Sequence, residues 1–348
     1  MRTLGRALRV GGMLAGAIFG LARMGANPRP RRQGRVAARP SAAARREARA
    51  AYLFLSPGLA LFFVFVLIPV AAAFYLSLCR YDIIHAPHWI GLRNYARLGR
   101  DLAEQGVFYL ALRNTAQYAI ATIPVGMALA LGLAVLLNAG LRGITLYRTT
   151  YYLPVVTSLV AVSMVWMWLY DPNYGLLNYG LELLARAASA IVGRPVSIPP
   201  QTWLANPRQA MLAIAAMSIW KGLGYNTVIY LAGLQGVPQH LYEAAIIDGA
   251  TPWQRFRSIT WPLLKPTTAF ILVVSVIGAS QVFAQVYVMT NGGPNNATTV
   301  IVHQIFQNAF SFLKMGYASA MAFALFGIIF VLSMVNLRLL RGGEVEYT

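Results

Sequence analysis

Six apolar runs limit what this chain can fold into. They lie near residues 52–79, 114–139, 150–170, 210–235, 268–290 and 318–340. About 20 consecutive apolar residues in a helix cross a hydrocarbon core of ~30 Å. In that core every backbone N–H and C=O needs a partner within the protein, and a helix supplies those partners internally. The sequence therefore predicts an all-α polytopic membrane protein with six core transmembrane helices.

The composition agrees with this interpretation. The 348-residue chain is 58% hydrophobic and 11% charged, whereas soluble domains carry about 25% charged residues. Its net charge is +19, but the basic residues cluster at the N-terminus and between the apolar runs. That pattern favours a membrane protein over one that binds nucleic acid. The single cysteine, Cys79, excludes an internal disulfide framework and a cysteine-based metal site.

The basic residues also indicate the orientation. Residues 1–50 hold twelve arginines, and basic segments favour the cytoplasmic side of a membrane. We therefore expect both termini in the cytoplasm, with an N-terminal arm (1–50), a transmembrane domain (51–341) and a short tail (342–348). The start of the arm looks like a signal peptide, but we expect an uncleaved, mostly disordered segment that touches anionic lipid head groups. An over-extended start codon is the alternative.

A polar stretch, EAAIIDGATPWQRFRSITWPLLKP (Glu243–Pro266), separates the fourth and fifth apolar runs. We place the loop 237–266 that contains it on the cytoplasmic side. Pro238 stands where the first turn of a helix tolerates a missing N–H. Gly249 is placed to end that helix in the left-handed conformation. The pattern predicts a short helix followed by a tight turn.

A second helix is predicted directly after this turn. Thr251 is placed as its N-cap, Pro252 as its first residue and Gln254 as the third residue of a capping box. We expect this helix to end at Pro262 and the chain then to re-enter the membrane.

The first helix carries acids and no Lys or Arg. It exposes Glu243, Ile247 and Asp248. A basic amphipathic helix would favour the bilayer surface, whereas this composition favours a groove in a partner protein.

The same stretch resembles the EAA loop of binding-protein-dependent ABC importer permeases. Glu243-Ala-Ala is followed, at the spacing of that family, by Asp248-Gly249-Ala250 and later by Pro262 and Pro266. Four more segments are similar to the family: WIGLRNYARL (89–98), LRNTAQYAIATIPVGMALALGLAVLLN (112–138), YLPVVTSLVAVSMVWMWLYDPNYGLLN (152–178) and TNGGPNNAT (290–298). The last of these resembles the carbohydrate branch. The end, RLLRGGEVEYT, resembles the maltose- or glycerol-phosphate-type first permease subunit.

The resemblance implies a fold of the type I ABC importer permease kind and a set of partners. A second related permease subunit completes the path, two ATP-binding subunits dock below and hold ATP and Mg, and an extracytoplasmic binding protein delivers the solute. The complex lies in a bacterial or archaeal cytoplasmic membrane. By motif position, the residues that couple to the ATPase are Glu243, Ala244, Ile247, Asp248 and Gly249.

The chain itself is expected to hold no cofactor or metal and to have no catalytic residue. It has no G-x-x-x-x-G-K-[ST] phosphate loop, so the energy must come from another subunit. His85 and His88 are three residues apart, but solvated side chains in an outer loop are preferred over a metal site.

Polar residues within the fourth and fifth runs are candidates for the solute path. An ionisable residue inside a membrane is a functional candidate, whereas amides and hydroxyls also join helices to one another. Lys221 can alternatively snorkel to the interface or pair across a subunit contact. Ser275, Gly278, Gln281 and Gln285 are expected on one helix face. The path candidates are Trp220, Lys221, Tyr225, Asn226, Gln281, Gln285 and Tyr287.

Two other functions compete with an ATP-driven importer of a carbohydrate or related polyol. A secondary solute transporter usually carries acids within its spans, and none occurs in the central parts of these six runs. An intramembrane hydrolase needs a nucleophile beside a base; GASQ (278–281) offers a serine, but the only nearby histidine, His303, lies outside the apolar core in the sequence. Maltose, trehalose, oligosaccharides and glycerol phosphate all remain open as solutes.

Overall fold

Helices form most of the computed structural model, which describes residues 42–138 and 144–340. Three parts of the chain lie outside the described residues: residues 1–41 of the predicted arm, Arg142 in the loop after the second apolar run, and the tail 342–348. The expectations for them stay predictions. Residues 42–50 of the arm are the first turns of a helix.

The chain divides into two compact units, Met1–Val66 and Leu67–Thr348. In the first unit, helix α1 (Ala42–Phe62) leads into a π-helical turn, Phe63–Leu67. Its large apolar side chains are exposed, as expected for a helix that faces lipid or another chain.

The second unit contains all the other elements. In chain order these are α2 (Ile68–Ser77), β1 (Cys79–Arg80), β2 (His88–Trp89), α3 (Arg93–Ala103), α4 (Val107–Asn138), α5 (Ile144–Val156), α6 (Leu159–Leu169), α7 (Leu176–Val192), α8 (Ala210–Gln235), α9 (Gln239–Ile247), α10 (Pro252–Arg255), α11 (Trp261–Ser280), α12 (Ala284–Met289), α13 (Ile301–Phe306) and α14 (Met315–Leu340). π-helical turns at Phe256–Thr260 and Gln307–Ser311 precede α11 and follow α13. The two short strands pair antiparallel, with Cys79 opposite Trp89.

Four helical stretches of the described chain are long and apolar enough to cross a membrane: Arg49–Ser77, Val107–Asn138, Pro252–Ser280 and Met315–Arg338. The bent pair α5 and α6 adds a fifth if it counts as one span. Helix α8 has 26 residues and is about 39 Å long, which is long enough to cross a membrane. Polar residues in its middle make it less apolar than the four stretches named above. The prediction of an all-α polytopic membrane protein is confirmed.

The third predicted span, 150–170, is not one helix. Helix α5 ends at Val156 and α6 begins at Leu159, and the two axes differ by 109°. Ser158 between them is extended, with ψ 132°. The residues on both sides of Thr157 and Ser158 are apolar, so hydropathy alone does not indicate the break.

The fifth predicted span, 268–290, has the wrong bounds. Helix continues from Pro252 to Ser280 without stopping at Pro262. In the π-helical turn, the N–H of Trp261 bonds to the carbonyl of Phe256, five residues back. This wider turn relieves the clash between the Pro262 ring and the preceding turn, so the helix passes through the proline.

Helix α4 lies at the centre of the second unit. Each of the three buried apolar clusters includes its residues: Phe108 in one, Tyr118 in another and Ala130 in the third. Ala130 and Tyr230 of α8 are almost fully buried, because the small alanine lets the two helices approach closely.

Candidate coupling loop and translocation site

Helix α9 ends in the left-handed turn that the sequence predicts. Gly249 has φ +76°. Its N–H donates to the carbonyl of Ile246 at 3.0 Å, and the N–H of Ala250 donates to that of Ala245 at 2.9 Å. These two bonds form a Schellman motif, which fixes the direction in which the chain leaves the helix.

The capping box at the next helix is also confirmed. The N–H of Gln254 donates to Thr251 Oγ1 at 3.3 Å, and the N–H of Thr251 donates to Gln254 Oε1 at 2.7 Å. Pro252 is the first helical residue. Pro238, in contrast, is the N-cap of α9 with an extended backbone and not a first-turn residue. Its fixed φ suits the cap as well as the first turn.

A single hydrogen bond ties α9 to the π-helical turn. The hydroxyls of Tyr242 and Thr260 lie 2.9 Å apart. The opposite face of α9 is exposed, and Ile247 is 85% exposed. The candidate coupling residues Glu243, Ala244, Ile247 and Asp248 are exposed on this face, which we call the α9 outer face.

A cavity of about 220 Å³ lies between α4, α8 and α11. Five residues with hydroxyl or amide side chains line it beside three glycines and three apolar residues, and we call it the polar cavity after the first group. Its lining residues are Tyr118, Thr122, Ile123, Gly126, Ser218, Ile219, Gly222, Asn226, Ser275, Gly278 and Ala279. Hydroxyls and amides both donate and accept hydrogen bonds, so the cavity can bind a polyhydroxylated molecule.

Gln285 contacts two residues that line this cavity. Its Nε2 donates to the Tyr118 hydroxyl at 3.1 Å and approaches Ser218 Oγ at 3.5 Å. The side chain is 8% exposed. Gln285 thus joins α12 to α4 and α8, as interhelical hydrogen bonds do in membrane proteins.

The expectation that Gln281 and Gln285 share one helix face with Ser275 and Gly278 is wrong. Helix α11 ends at Ser280, and α12 begins at Ala284. Gln281 lies in the break and is exposed. The break was not predicted because the residues on both sides of it are mostly apolar.

Lys221 contacts the broken span formed by α5 and α6. Its Nζ donates to the carbonyls of Pro154 and Thr157, each at 3.0 Å, and lies 3.5 Å from that of Val155. The ammonium group therefore donates to carbonyls of its own chain. Neither of the two alternatives considered from the sequence, snorkelling to the interface and pairing across a subunit contact, included this arrangement.

The other path candidates lie apart from one another. Asn226 lines the cavity. Tyr225 is exposed, as is Trp220, whose ring packs 5.7 Å from that of Trp166. Tyr287 is 44% exposed and stacks on Phe283 with the ring centroids 5.4 Å apart.

The path candidates chosen from the sequence did not include the hydroxyl residues that line the cavity. Tyr118 and Thr122 lie one helical turn apart on α4. On α8, Ser218, Gly222 and Asn226 repeat at four-residue spacing, which places them on one face. This spacing of small and polar residues is visible in the sequence and could have identified the cavity wall.

His85 and His88, between α2 and α3, are both exposed. His85 Nδ1 lies 2.8 Å from Asp82 Oδ2, and both side chains are exposed. The backbone N–H of His85, followed by its side chain, holds the pKa of Asp82 below its ordinary value. Among the described residues, no group of three His, Cys, Asp or Glu side chains is placed to hold a metal ion.

Two curated relatives cover most of the chain. The trehalose/maltose transport system permease protein MalF of Thermococcus litoralis is 34% identical over 298 residues, which is 85% of this chain and 95% of MalF. The arabinooligosaccharides transport system permease protein AraP of Bacillus subtilis is 32% identical over 292 residues, covering 83% of this chain and 88% of AraP.

A solved structure has the same fold. A chain of a bacterial alginate ABC transporter, crystallised in complex with an alginate pentasaccharide-bound periplasmic protein, superposes with a TM-score of 0.69. The match has 23% identity and covers 84% of this chain and 93% of the other. The fold is therefore that of an ABC importer permease.

The sequence profile of one family, the binding-protein-dependent transport system inner membrane component, matches residues 142–341. This range contains the α9 outer face, the broken span and two of the three helices around the polar cavity. The EAA resemblance is confirmed, and a secondary transporter is set aside. The chain belongs to this family and is a multi-pass permease, a transport subunit that is not itself catalytic.

Proposed function

We propose that this chain forms the translocation path for a carbohydrate or related polyol in an ATP-driven importer. One observation carries the proposal: a cavity lined by hydroxyl, amide and glycine residues lies beside α11, and α11 continues the same helical stretch that begins just after the α9 outer face. A polar site and a candidate docking surface are thus connected by a single helix.

The nature of the lining supports an uncharged, hydroxyl-rich solute. None of the eleven residues around the cavity carries a charge at neutral pH. Sugars are bound through hydroxyl and amide hydrogen bonds together with aromatic faces. The relatives named for trehalose, maltose and arabinooligosaccharides support the same class of solute.

We further propose the full set of partners. A second related permease subunit would complete the path, and an extracytoplasmic binding protein would deliver the solute. Two ATP-binding subunits would dock below, one of them taking the α9 outer face of this chain into its groove and the other the corresponding helix of the second permease. Support for the ATPase contact comes from the exposure of Glu243, Ile247 and Asp248, because an apolar residue beside two acids suits a protein groove with basic edges.

The proposed orientation has the loop 237–266 and both termini in the cytoplasm. A reporter enzyme fused near residue 190 or 305 should then be active outside the membrane, and one fused just after residue 250 should be active inside. A cytoplasmic signal from the fusion at 190 would contradict this orientation.

The central test is ATP hydrolysis by the reconstituted complex. The permease is placed in nanodiscs together with the permease and ATPase subunits encoded beside it on the chromosome. The binding protein and a panel of sugars are then added. Solute-loaded binding protein should stimulate hydrolysis. Glu243→Ala should leave assembly intact and reduce the stimulation, because the contact that transmits the signal must differ between the two states of the complex.

The matched control is Glu104→Ala, an exposed acid at the end of α3, which should keep full stimulation. If Glu243→Ala behaved like this control, and the ATPase still co-purified, the coupling role of the α9 outer face would be abandoned. Absence of stimulation by every sugar in the wild-type complex would remove the proposed solute class.

A further inference from the structure

The break between α5 and α6 leaves backbone groups that need partners. A helix that stops cannot satisfy the carbonyls of its last turn, and in the hydrocarbon core of a membrane water does not replace the lost bonds. Thr157 Oγ1 donates to the Pro154 carbonyl at 2.6 Å. The carbonyls of Val155 and Thr157 depend on another element.

Lys221 supplies the missing donors from α8. Its ammonium reaches the carbonyls of Pro154, Val155 and Thr157. A cation at the C-terminus of a helix also interacts favourably with the aligned peptide dipoles. Among the ion pairs of the described residues, none involves Lys221, so these backbone carbonyls are the groups that stabilise its charge.

A close approach of the two helices makes this contact possible. Gly224 lies one turn after Lys221 on α8. A Cβ at Gly224 would collide with the carbonyl oxygen of Tyr151 and would lie 2.8 Å from Val155 Cγ2. Only glycine leaves room for α5 here, and this brings the Lys221 ammonium within hydrogen-bond distance of the break.

The far side of the break packs beside the polar cavity. Val162 and Tyr170, within and just after α6, belong to the same buried cluster as Tyr118 and Met217. Tyr118 lines the cavity, and so does Gly222, the residue after Lys221. The angle between α5 and α6 therefore affects the packing of the cavity wall.

We propose that Lys221 is a positioning residue for transport, which holds the broken span in its bent form without contacting the solute. The inference rests on the proposed function for its transport readout but has a structural readout of its own. It assigns to Lys221 a role as an intramolecular C-cap for α5. A solute-binding lysine would instead direct its ammonium into the cavity.

The experiment compares Lys221→Met with Lys221→Arg in the intact complex. Met preserves the apolar stem but removes the donors, whereas Arg retains the charge and several donors. We expect Met to lower the maximal transport rate by at least about tenfold with the KM changed by less than about twofold. Arg should restore a substantial part of the rate.

The structural readout is a distance across the break. Spin labels are attached at Leu146→Cys on α5 and Trp168→Cys on α6, both exposed at 72% and 75%, while the native Cys79 is fully buried. The wild-type distance distribution should be narrow, and Lys221→Met should broaden or shift it. Lys221→Arg should leave the distribution close to that of the wild type.

Three outcomes would overturn the inference: an unchanged distance distribution in the Met variant, an effect confined to KM, or a failure of Arg to restore the distribution. If the Met variant does not insert, Lys221→Gln against Lys221→Arg decides by the same readouts. The distance measurement needs no solute, so its result stands even if no sugar stimulates the wild-type complex and the proposed function fails.

Discussion

Gln285 donates a hydrogen bond to the hydroxyl of Tyr118 across 3.1 Å, joining the short helix α12 to the middle of α4. The bond is buried. It sets the position of α12 relative to the polar cavity, since Tyr118 lines that cavity.

Gln285→Leu should therefore destabilise the permease. It removes the donor from Tyr118 and Ser218 while nearly preserving volume, and an unsatisfied buried polar group costs about 1–3 kcal/mol. Thermal unfolding in detergent should show a clearly lower midpoint. Gln281→Leu is the matched control, because Gln281 is exposed and such changes stay within about 0.5 kcal/mol. Equal midpoints for the two variants would contradict the structural role of Gln285.

Gly249→Val should uncouple the complex. The φ of +76° at this position is unfavourable for residues with a Cβ by roughly 1–2 kcal/mol, and more so for a β-branched side chain. Gly249→Asn is the control, since asparagine tolerates the left-handed conformation. ATP hydrolysis stimulated by loaded binding protein should fall in the Val variant and persist in the Asn variant. Full stimulation in both would mean that the turn angle does not matter.

Asn114→Leu should release the loop between α12 and α13. Asn114 Nδ2 donates to the carbonyls of Asn296 and Thr299, each at 2.9 Å. Leucine removes both bonds: the Thr299 carbonyl loses its side-chain donor, at about 1–3 kcal/mol for a buried group, whereas the Asn296 carbonyl keeps the N–H of Thr299 at 3.2 Å. Hydrogen exchange at residues 291–300 should become faster, whereas Asn173→Leu, at an exposed position, should leave it unchanged. Protection equal to the wild type in the Asn114 variant would count against this anchoring role.

His303 should make the stability depend on pH. Burial lowers the pKa of His303 below its ordinary value of 6.5. Its Nε2 pairs with Asn291 Oδ1 at 3.1 Å, and its buried Nδ1 has no partner, so a second proton would find no acceptor. As the pH falls below 6.5, the unfolded chain binds a proton that the folded chain does not, and stability is lost at up to roughly 1.4 kcal/mol per pH unit.

The measurement is the unfolding midpoint from pH 7.5 to 5.5, for wild type and His303→Gln. The variant should show a flatter profile over this window. His240→Gln, which replaces an exposed histidine of α9, should follow the wild type. A wild-type slope retained in the His303 variant would assign the pH dependence to other groups.

Local signals in the sequence were enough to predict the turn and the capping box of the candidate coupling loop. The N-cap at Thr251 and the left-handed residue Gly249 depend on neighbours within a few positions, so their geometry followed from the residues themselves. The same holds for the long helices, whose apolar length alone identifies them.

The breaks could not be predicted in the same way. At Thr157–Ser158 the chain stays apolar on both sides, and the donors that make the break tolerable come from Lys221, 64 residues away from Thr157. At Gln281 the chain turns into α12, whose position depends on the contact between Gln285 and Tyr118. Both features are set by tertiary contacts between distant residues, which a single sequence does not display.

The helical stretch Pro252–Ser280 has 29 residues and is therefore about 43 Å long. A rigid rod of that length amplifies rotation: a tilt of about 5° at one end moves the other end by roughly 4 Å. Because this stretch begins just after the turn that follows α9 and lines the polar cavity at Ser275 and Gly278, a small angular change imposed near Gly249 would change the width of the cavity.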